Sequence, residues 1–158
     1  MLDLEHLAEE LSHGKSFEDI LERYDWKVFE KTVAEMFKTN GFGIKQNFRF
    51  KTKRRYEIDI IAVKNSQIFC VDCKWWGSGR YKKSGLKNAA KLQQERAKEF
   101  KNYLKKNPIA QKLLKIGSGY STHPLLVTLH DENLIKENEI FVVPIWKLNT
   151  FINDLHSI

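Results

Sequence analysis

The sequence predicts an α/β fold, a mixed central sheet with helices packed on its faces. Three observations carry this reading. Residues 56–63 and 67–75 are rich in β-branched and aromatic side chains and are separated by the polar Lys64-Asn65-Ser66, which is the pattern of a β-hairpin. Helix-periodic stretches flank it, one at 25–39 and a longer one at 84–106. The last third holds two short, strongly apolar runs, PLLVTLH (124–130) and EIFVVP (139–144), typical of strands buried on both faces. The order helix, three strands, long helix, strand, helix, strand, helix reads as one sandwich around a mixed sheet.

Composition narrows the class. The chain has 158 residues, 42% of them hydrophobic and 30% charged, which suits a folded domain with a sizeable core. Its formal net charge of +7 and pI near 9.3 favour an anionic partner such as nucleic acid. The acidic, amphipathic start MLDLEHLAEELS is unlike a secretory signal, and no apolar run reaches the roughly 20 residues that span a bilayer. Two cysteines make no disulfide framework, so a cytoplasmic location is expected, with no membrane partner.

Along the chain, Leu2, Leu4, Leu7, Ala8 and Leu11 stand at helical spacing, Gly14 stops that helix, and Ser16 with Asp19 resembles an N-cap opening a second one at 17–24. Residues 1–24 therefore read as a helical extension packed on the domain 25–158. The helix at 25–39 buries Trp26, Phe29, Val33, Met36 and Phe37, and Asn40-Gly41 ends it. Glu30 lies beside that stripe, and helix position alone makes it a surface glutamate. A strand at 42–51 alternates Phe42, Ile44, Gln46, Phe48 and Phe50 against polar residues. Lys51, Lys53, Arg54 and Arg55 then form a basic turn leading into the hairpin. It is either a solvated loop or a phosphate contact.

After the hairpin, Gly77-Ser78-Gly79 marks a loop, and Arg80, Lys82, Lys83 and Lys87 interleave with Trp75, Trp76 and Tyr81. Basic side chains beside aromatics suit a phosphate backbone and unstacked bases, with Trp76 the aromatic candidate; the plainer alternative puts the tryptophans in the core and leaves the lysines only to solubilise. The long helix packs through Leu86, Ala89 or Ala90, Ala97, Phe100 and Leu104; Gln93 falls on that face and needs a polar partner there. Asn107-Pro108 ends it, and 109–116 adds a helical turn or two. Residues 131–138 read as a short helix, and 145–155 as a closing helix with Ile145, Leu148, Phe151, Ile152 and Leu155 inward.

The chemistry concentrates in the hairpin. Asp59, Asp72 and Lys74 interrupt apolar strands, where a carboxylate is costly unless it is paired or binds a cation. Asp72 and Lys74 share a strand face, and Asp59 can join them from the neighbouring strand. Two carboxylates and a lysine on one face suit a divalent metal and a phosphate. A structural ion pair between Asp72 and Lys74 is the plainer alternative. Glu57 shares strand parity with Asp59 and either faces the site or lies exposed at the strand start. Cys70 and Cys73 are formally C-x-x-C. Residues three apart on a strand face opposite sides, so both read as small buried hydrophobes. The five histidines show no ligand spacing.

Glu30 in a helix, Asp59 in EIDIIAV and Asp72-Cys73-Lys74 in IFCVDCKWW together resemble the PD-(D/E)xK nuclease superfamily, in particular Mrr-type restriction endonucleases and archaeal Holliday-junction resolvases. Residues 29–75 carry the likeness. It implies a restriction-endonuclease-like αβββαβ core and a metal-dependent endodeoxyribonuclease, structure-selective or weakly sequence-selective. It also implies Glu30, Asp59 and Asp72 as ligands of Mg²⁺ or Mn²⁺, the Cys73 carbonyl as a further ligand, Lys74 at the attacking water, and Gln93 as an accessory polar residue. Ile58 rather than proline precedes Asp59, and Asp72 stands where Mrr-type enzymes often carry Gln. The implied partner is DNA, with a homodimer plausible. A non-catalytic nucleic-acid-binding subunit of the same fold and an RNA-directed nuclease are the alternatives.

Overall fold

Two residues with left-handed backbone, Asn65 (φ 49°) and Ser66 (φ 67°), turn the chain between strands Arg55–Lys64 (β2) and Gln67–Lys74 (β3). Positive φ at both central positions is the two-residue turn that matches the natural twist of a hairpin. The structure is a computed structural model that describes residues 9, 13–14, 25–74, 83–117, 119–129, 135–137 and 140–155. The expected extension at 1–24 and the segment 75–82 with Trp75, Trp76, Arg80, Tyr81 and Lys82 lie outside these, apart from residues 9, 13 and 14.

The described elements run α1 (Trp26–Thr39), β1 (Gly43–Lys51), β2, β3, α2 (Lys83–Lys105), α3 (Pro108–Leu113), β4 (Ser121–Thr128), β5 (Ile135–Glu137), β6 (Ile140–Pro144) and α4 (Ile145–Asp154). The sheet has six strands in the order β1-β2-β3-β4-β6-β5. β1, β2 and β3 are antiparallel neighbours, β3-β4 and β4-β6 pair in parallel, and β5 returns antiparallel on β6. The expected mixed sheet and αβββαβ order are both present.

Asp25 caps α1, its Oδ1 accepting from the Val28 N–H at 3.0 Å, and Gly41 (φ 88°) takes the left-handed stop after it. α1 buries Phe29, Val33 and Phe37 against Ile60, Ala62, Phe69 and Val71 of the sheet, with Leu148 and Ile152 of α4 in the same core. The opposite face carries Ile58, Ile61, Ile68 and Cys70 against Ala97, Phe100 and Leu104 of α2. Each face buries a continuous apolar layer, so the sheet's central strands are inaccessible to water from both sides.

Two expectations are corrected. Trp26 is not in the α1 stripe: it is 52% exposed. It is the first helical residue, a turn ahead of Phe29, and lies outside the apolar core that Phe29 joins. Residues 135–137 are a strand, not part of a helix. The run DENLIKEN offers only the adjacent pair Leu134-Ile135 as apolar residues, so a helix would have no stripe to bury. Pairing Ile135↔Val142, Lys136↔Phe141 and Glu137↔Ile140 instead satisfies the outer backbone edge of β6.

Candidate active site

The site lies where β2 and β3 separate. Their ladder runs from Lys64↔Gln67 to Ile60↔Val71 and stops there. The next opposed residues are Asp59 and Asp72. On its other edge β3 stays paired with β4 as far as Lys74↔Thr128. One edge of β3 is thus held while the other opens, and Asp72, Cys73 and Lys74 line the opening. The Cys73 N–H, left without a ladder partner, donates to Asp59 Oδ2 at 3.0 Å.

Asp59 also marks a break on its β1 side. The pairs Gln46↔Ile60 and Phe48↔Ile58 leave Asn47 opposite Asp59 without pairing, and Asn47 has φ 52°. Asparagine tolerates this left-handed conformation better than most residues. Strand facing changes across the break: Ile58 packs on the α2 side and Ile60 on the α1 side. In β1, Phe48 and Ile44 divide in the same way. The irregularity points Asp59 out of the apolar layers and into the fork.

Glu30, which helix position alone placed at the surface, is only 6% exposed, as is Asp72. Burial, then the nearby charges of Asp72 and Glu57, push the Glu30 carboxyl up to about 7. Burial and the facing Asp72 carboxylate raise Asp59 well above the ordinary aspartate range, against the opposing pull of the Cys73 N–H. The three carboxylates therefore share one field although they come from α1, β2 and β3. Lys74 Nζ stands 3.1 Å from Asp72 Oδ2, so the ion pair weighed from the sequence is present. It is a contact of charges and not an aligned hydrogen bond, because Asp72 Oδ2 is buried with no hydrogen-bond partner.

The α2 side adds Arg96, which the sequence reading missed. Gln93 is fully buried, and its Nε2 donates to the Cys70 carbonyl at 2.7 Å. Its Oε1 accepts from Arg96 Nη1 at 3.4 Å, and the same Nη1 lies 3.7 Å from Asp72 Oδ1. Arg96 is three residues past Gln93, so the i, i+3 spacing on a helix could have found it. Glu57 is exposed and pairs with Arg49 across the strands at 2.8 Å, at the rim and not inside.

Cys70 and Cys73 face opposite layers, as strand geometry requires. Burial pushes Cys70 to about 12 and, with the surrounding carboxylates, raises Cys73 well above its usual value, so neither thiolate is available. His123 stacks on Phe69 and its Nε2 meets Ser121 Oγ at 3.0 Å, at the opposite end of β3 from Lys74.

The basic turn stands at the same sheet end as Lys74, because β2 and β3 run antiparallel. Lys51, Lys53, Arg54 and Arg55 are all exposed. Arg54 is committed elsewhere: it pairs with Glu95 of α2 at 2.9 Å and lies over the Tyr56 ring. Arg49, Phe50, Lys51, Arg55, Tyr56 and Glu57 line an open depression of about 600 Å³. Lys87 is exposed on α2, while the side chain of Lys83 lies outside the described residues.

Whether a divalent cation fits can be tested on these residues. As they stand, no three His, Cys, Asp or Glu side chains among the described residues are grouped closely enough to hold one ion. Mg²⁺ does not demand such a cage, since one or two carboxylates with water and substrate phosphate are its usual set. Asp59 and Asp72 meet that need. Their mutual repulsion and the unsatisfied Asp72 Oδ2 are what a cation would relieve.

The sequence matches the profile of NERD, the nuclease-related domain, over residues 25–128. The chain belongs to the NERD family. The matched span runs from the cap of α1 to the end of β4 and includes Glu30, Asp59, Asp72, Lys74, Gln93 and Arg96. An uncharacterized protein of Archaeoglobus fulgidus is 29% identical to this NERD chain over 132 residues, which is 83% of the chain and 92% of that protein. The crystal structure of a protein of unknown function, AF1548, superposes with a TM-score of 0.46 at 16% identity, over 75% of this chain and 56% of that one. Protein VC1899 from Vibrio cholerae superposes with a TM-score of 0.38 at 15% identity, over 81% and 32%. The NERD chain thus spans 56% and 32% of these two solved chains. No helix among the described residues is long and apolar enough to cross a membrane.

Proposed function

We propose that this NERD chain is a metal-dependent endodeoxyribonuclease of the PD-(D/E)xK type. The observation that carries the proposal is the fork: two carboxylates opposed at the point where β2 and β3 part, a third facing them from α1, and Lys74 beside Asp72. Asp59 and Asp72 would hold Mg²⁺ or Mn²⁺, with the Cys73 carbonyl and Glu30 as further oxygens. The cation would supply the Lewis acid that polarises the scissile phosphate and makes a water acidic enough to act near neutral pH.

The chain's own residues do the rest. Lys74, its ammonium already at the fork, stands where it can orient the attacking water and stabilise the charge that builds on the pentavalent phosphorus. Arg96 and Gln93 fix Asp72 from the α2 side. Lys51, Lys53 and Arg55 offer phosphate contacts at the same end, and such contacts position a backbone without reading bases. Structure-selective or weakly selective cutting follows, and a homodimer would set two forks against two strands.

One observation favours a second reading. Asp72 is already paired with Lys74, so the fork could be a structural ion pair in a nucleic-acid-binding module. A substrate panel separates the readings: four-way junction, flap, linear duplex, single strand and RNA, each with Mg²⁺, Mn²⁺ or EDTA. Metal-dependent cutting of DNA supports the nuclease. Salt-sensitive binding with no cutting supports the module, and cutting of RNA alone moves the substrate class.

A further inference from the structure

We infer that the outward face of α2 is a docking surface for the phosphate backbone of duplex DNA, separate from the fork. Lys87, Lys91, Lys98, Lys101 and Lys105 are all exposed on this helix. At 3.6 residues per turn these positions fall within about 40° of one line along the helix. With 1.5 Å of rise per residue, the stripe runs for about 27 Å. A duplex presents one phosphate per about 3.4 Å on each strand, so a rod of this length faces several consecutive phosphates.

A lysine-rich helix face is often only a solvated one. Such faces are normally laced with acids one turn away, because like charges at i, i+4 weaken a helix. Here the lacing is absent: Glu99 has no lysine three or four residues away, and Glu95 is turned aside. The helix has two carboxylates, Glu95 and Glu99. Both are drawn off to the β1–β2 turn: Glu95 accepts from Arg54 at 2.9 Å and Tyr56 at 3.0 Å, and Glu99 accepts from Thr52 at 2.6 Å. Lys91 therefore loses the i+4 partner that Glu95 would otherwise be. Among the described residues none of the five lysines has an ion pair. The arrangement keeps Lys87/Lys91, Lys98/Lys101 and Lys101/Lys105 as uncompensated like-charge neighbours, which a polyanion would relieve. The same clasp ties α2 to the basic turn, so the stripe and the candidate phosphate contacts of the turn belong to one rigid frame.

The inference rests on the nucleic-acid half of the proposed function and is independent of catalysis. Its test is binding to a duplex of about 20 base pairs in EDTA, followed across a salt series. A variant with Lys87, Lys91, Lys98, Lys101 and Lys105 all changed to Gln is compared with one carrying Lys27, Lys38, Lys45, Lys112 and Lys115 changed to Gln. The two lose the same charge, and glutamine keeps helix propensity close to lysine's. Far-ultraviolet circular dichroism confirms that each is folded. The stripe variant is expected to lower the slope of log K against log salt by about 4.5, near 0.9 for each lost phosphate contact, while the control lowers it by less than about 1. Equal losses in both variants would overturn the inference, since net charge alone would explain them. An unchanged slope in the stripe variant, or a change seen with duplex RNA and not DNA, would overturn it as well. Wild-type protein that binds through the stripe but cuts nothing would count against the nuclease reading and leave this surface standing.

Discussion

Asp59 Oδ2 accepts the backbone N–H of Cys73 at 3.0 Å, so a side chain of β2 does for β3 what a ladder carbonyl does one pair earlier. This bond keeps the fork from fraying while holding Asp59 against Asp72, where two like charges repel. Stability and chemistry therefore pull on Asp59 in opposite directions, and two substitutions separate them. Asp59→Asn keeps an oxygen acceptor and removes the charge. It should leave the metal-free protein at pH 8 as stable as wild type or more so. Asp59→Ala orphans the N–H and should cost about 1–3 kcal/mol. For a chain of this size each kcal/mol lowers Tm by about 2–4 °C. Thermal unfolding in EDTA reads the difference; equal losses in both variants would mean that the bond does not hold the fork.

The raised carboxyls set a pH dependence whose sign is fixed. Glu30 moves up to about 7 and Asp59 moves the same way, so between about pH 4 and 7 the folded state binds more protons than the unfolded chain. The contribution of these groups is full below their unfolded values and is lost as pH rises through the folded ones. Metal-free protein should lose Tm from pH 5 to pH 8, and Mg²⁺ should restore it at pH 8 with little effect at pH 5. Calorimetric scans at both pH values check this. A Tm that rises with pH in EDTA would contradict the crowding of charge at the fork.

Gln93 is committed to the Cys70 carbonyl and to Arg96, the contacts of a support for Asp72. Gln93→Leu should cost about 1–3 kcal/mol in stability, because it removes two hydrogen bonds, one to the buried Cys70 carbonyl and one from Arg96. Cleavage at a temperature where the variant is folded should fall by less than about tenfold. Native Tm with a loss above about a hundredfold would put Gln93 in the chemistry.

Much of this was legible in the sequence, and the reasons differ by element. The hairpin was clear because β-branched runs and a polar turn are local signals, and the carboxylates stood out because charge inside an apolar strand demands an explanation. Glu30 was not legible from its helix. Its burial depends on where α1 meets the parting of two strands, which is tertiary information. Residues 135–137 misled because their pairing is decided by the free edge of β6 and not by their own periodicity. Arg96 was missed because one arginine among many gives no signal until Gln93 and Asp72 are placed around it. The break at Asn47 and Asp59 was invisible, since strict alternation was assumed where the strands change facing.

If the fork cuts DNA, Lys74 is the residue that shows it. Wild type and Lys74→Ala are compared for Mg²⁺-dependent cleavage of the best substrate from the panel, with binding measured in parallel in EDTA. Lys74→Ala should bind DNA with near wild-type affinity and cut it at least about 10²–10³ times more slowly. Equal cutting by the two proteins would contradict the proposed role of Lys74 and move the chemistry, if any, away from the fork.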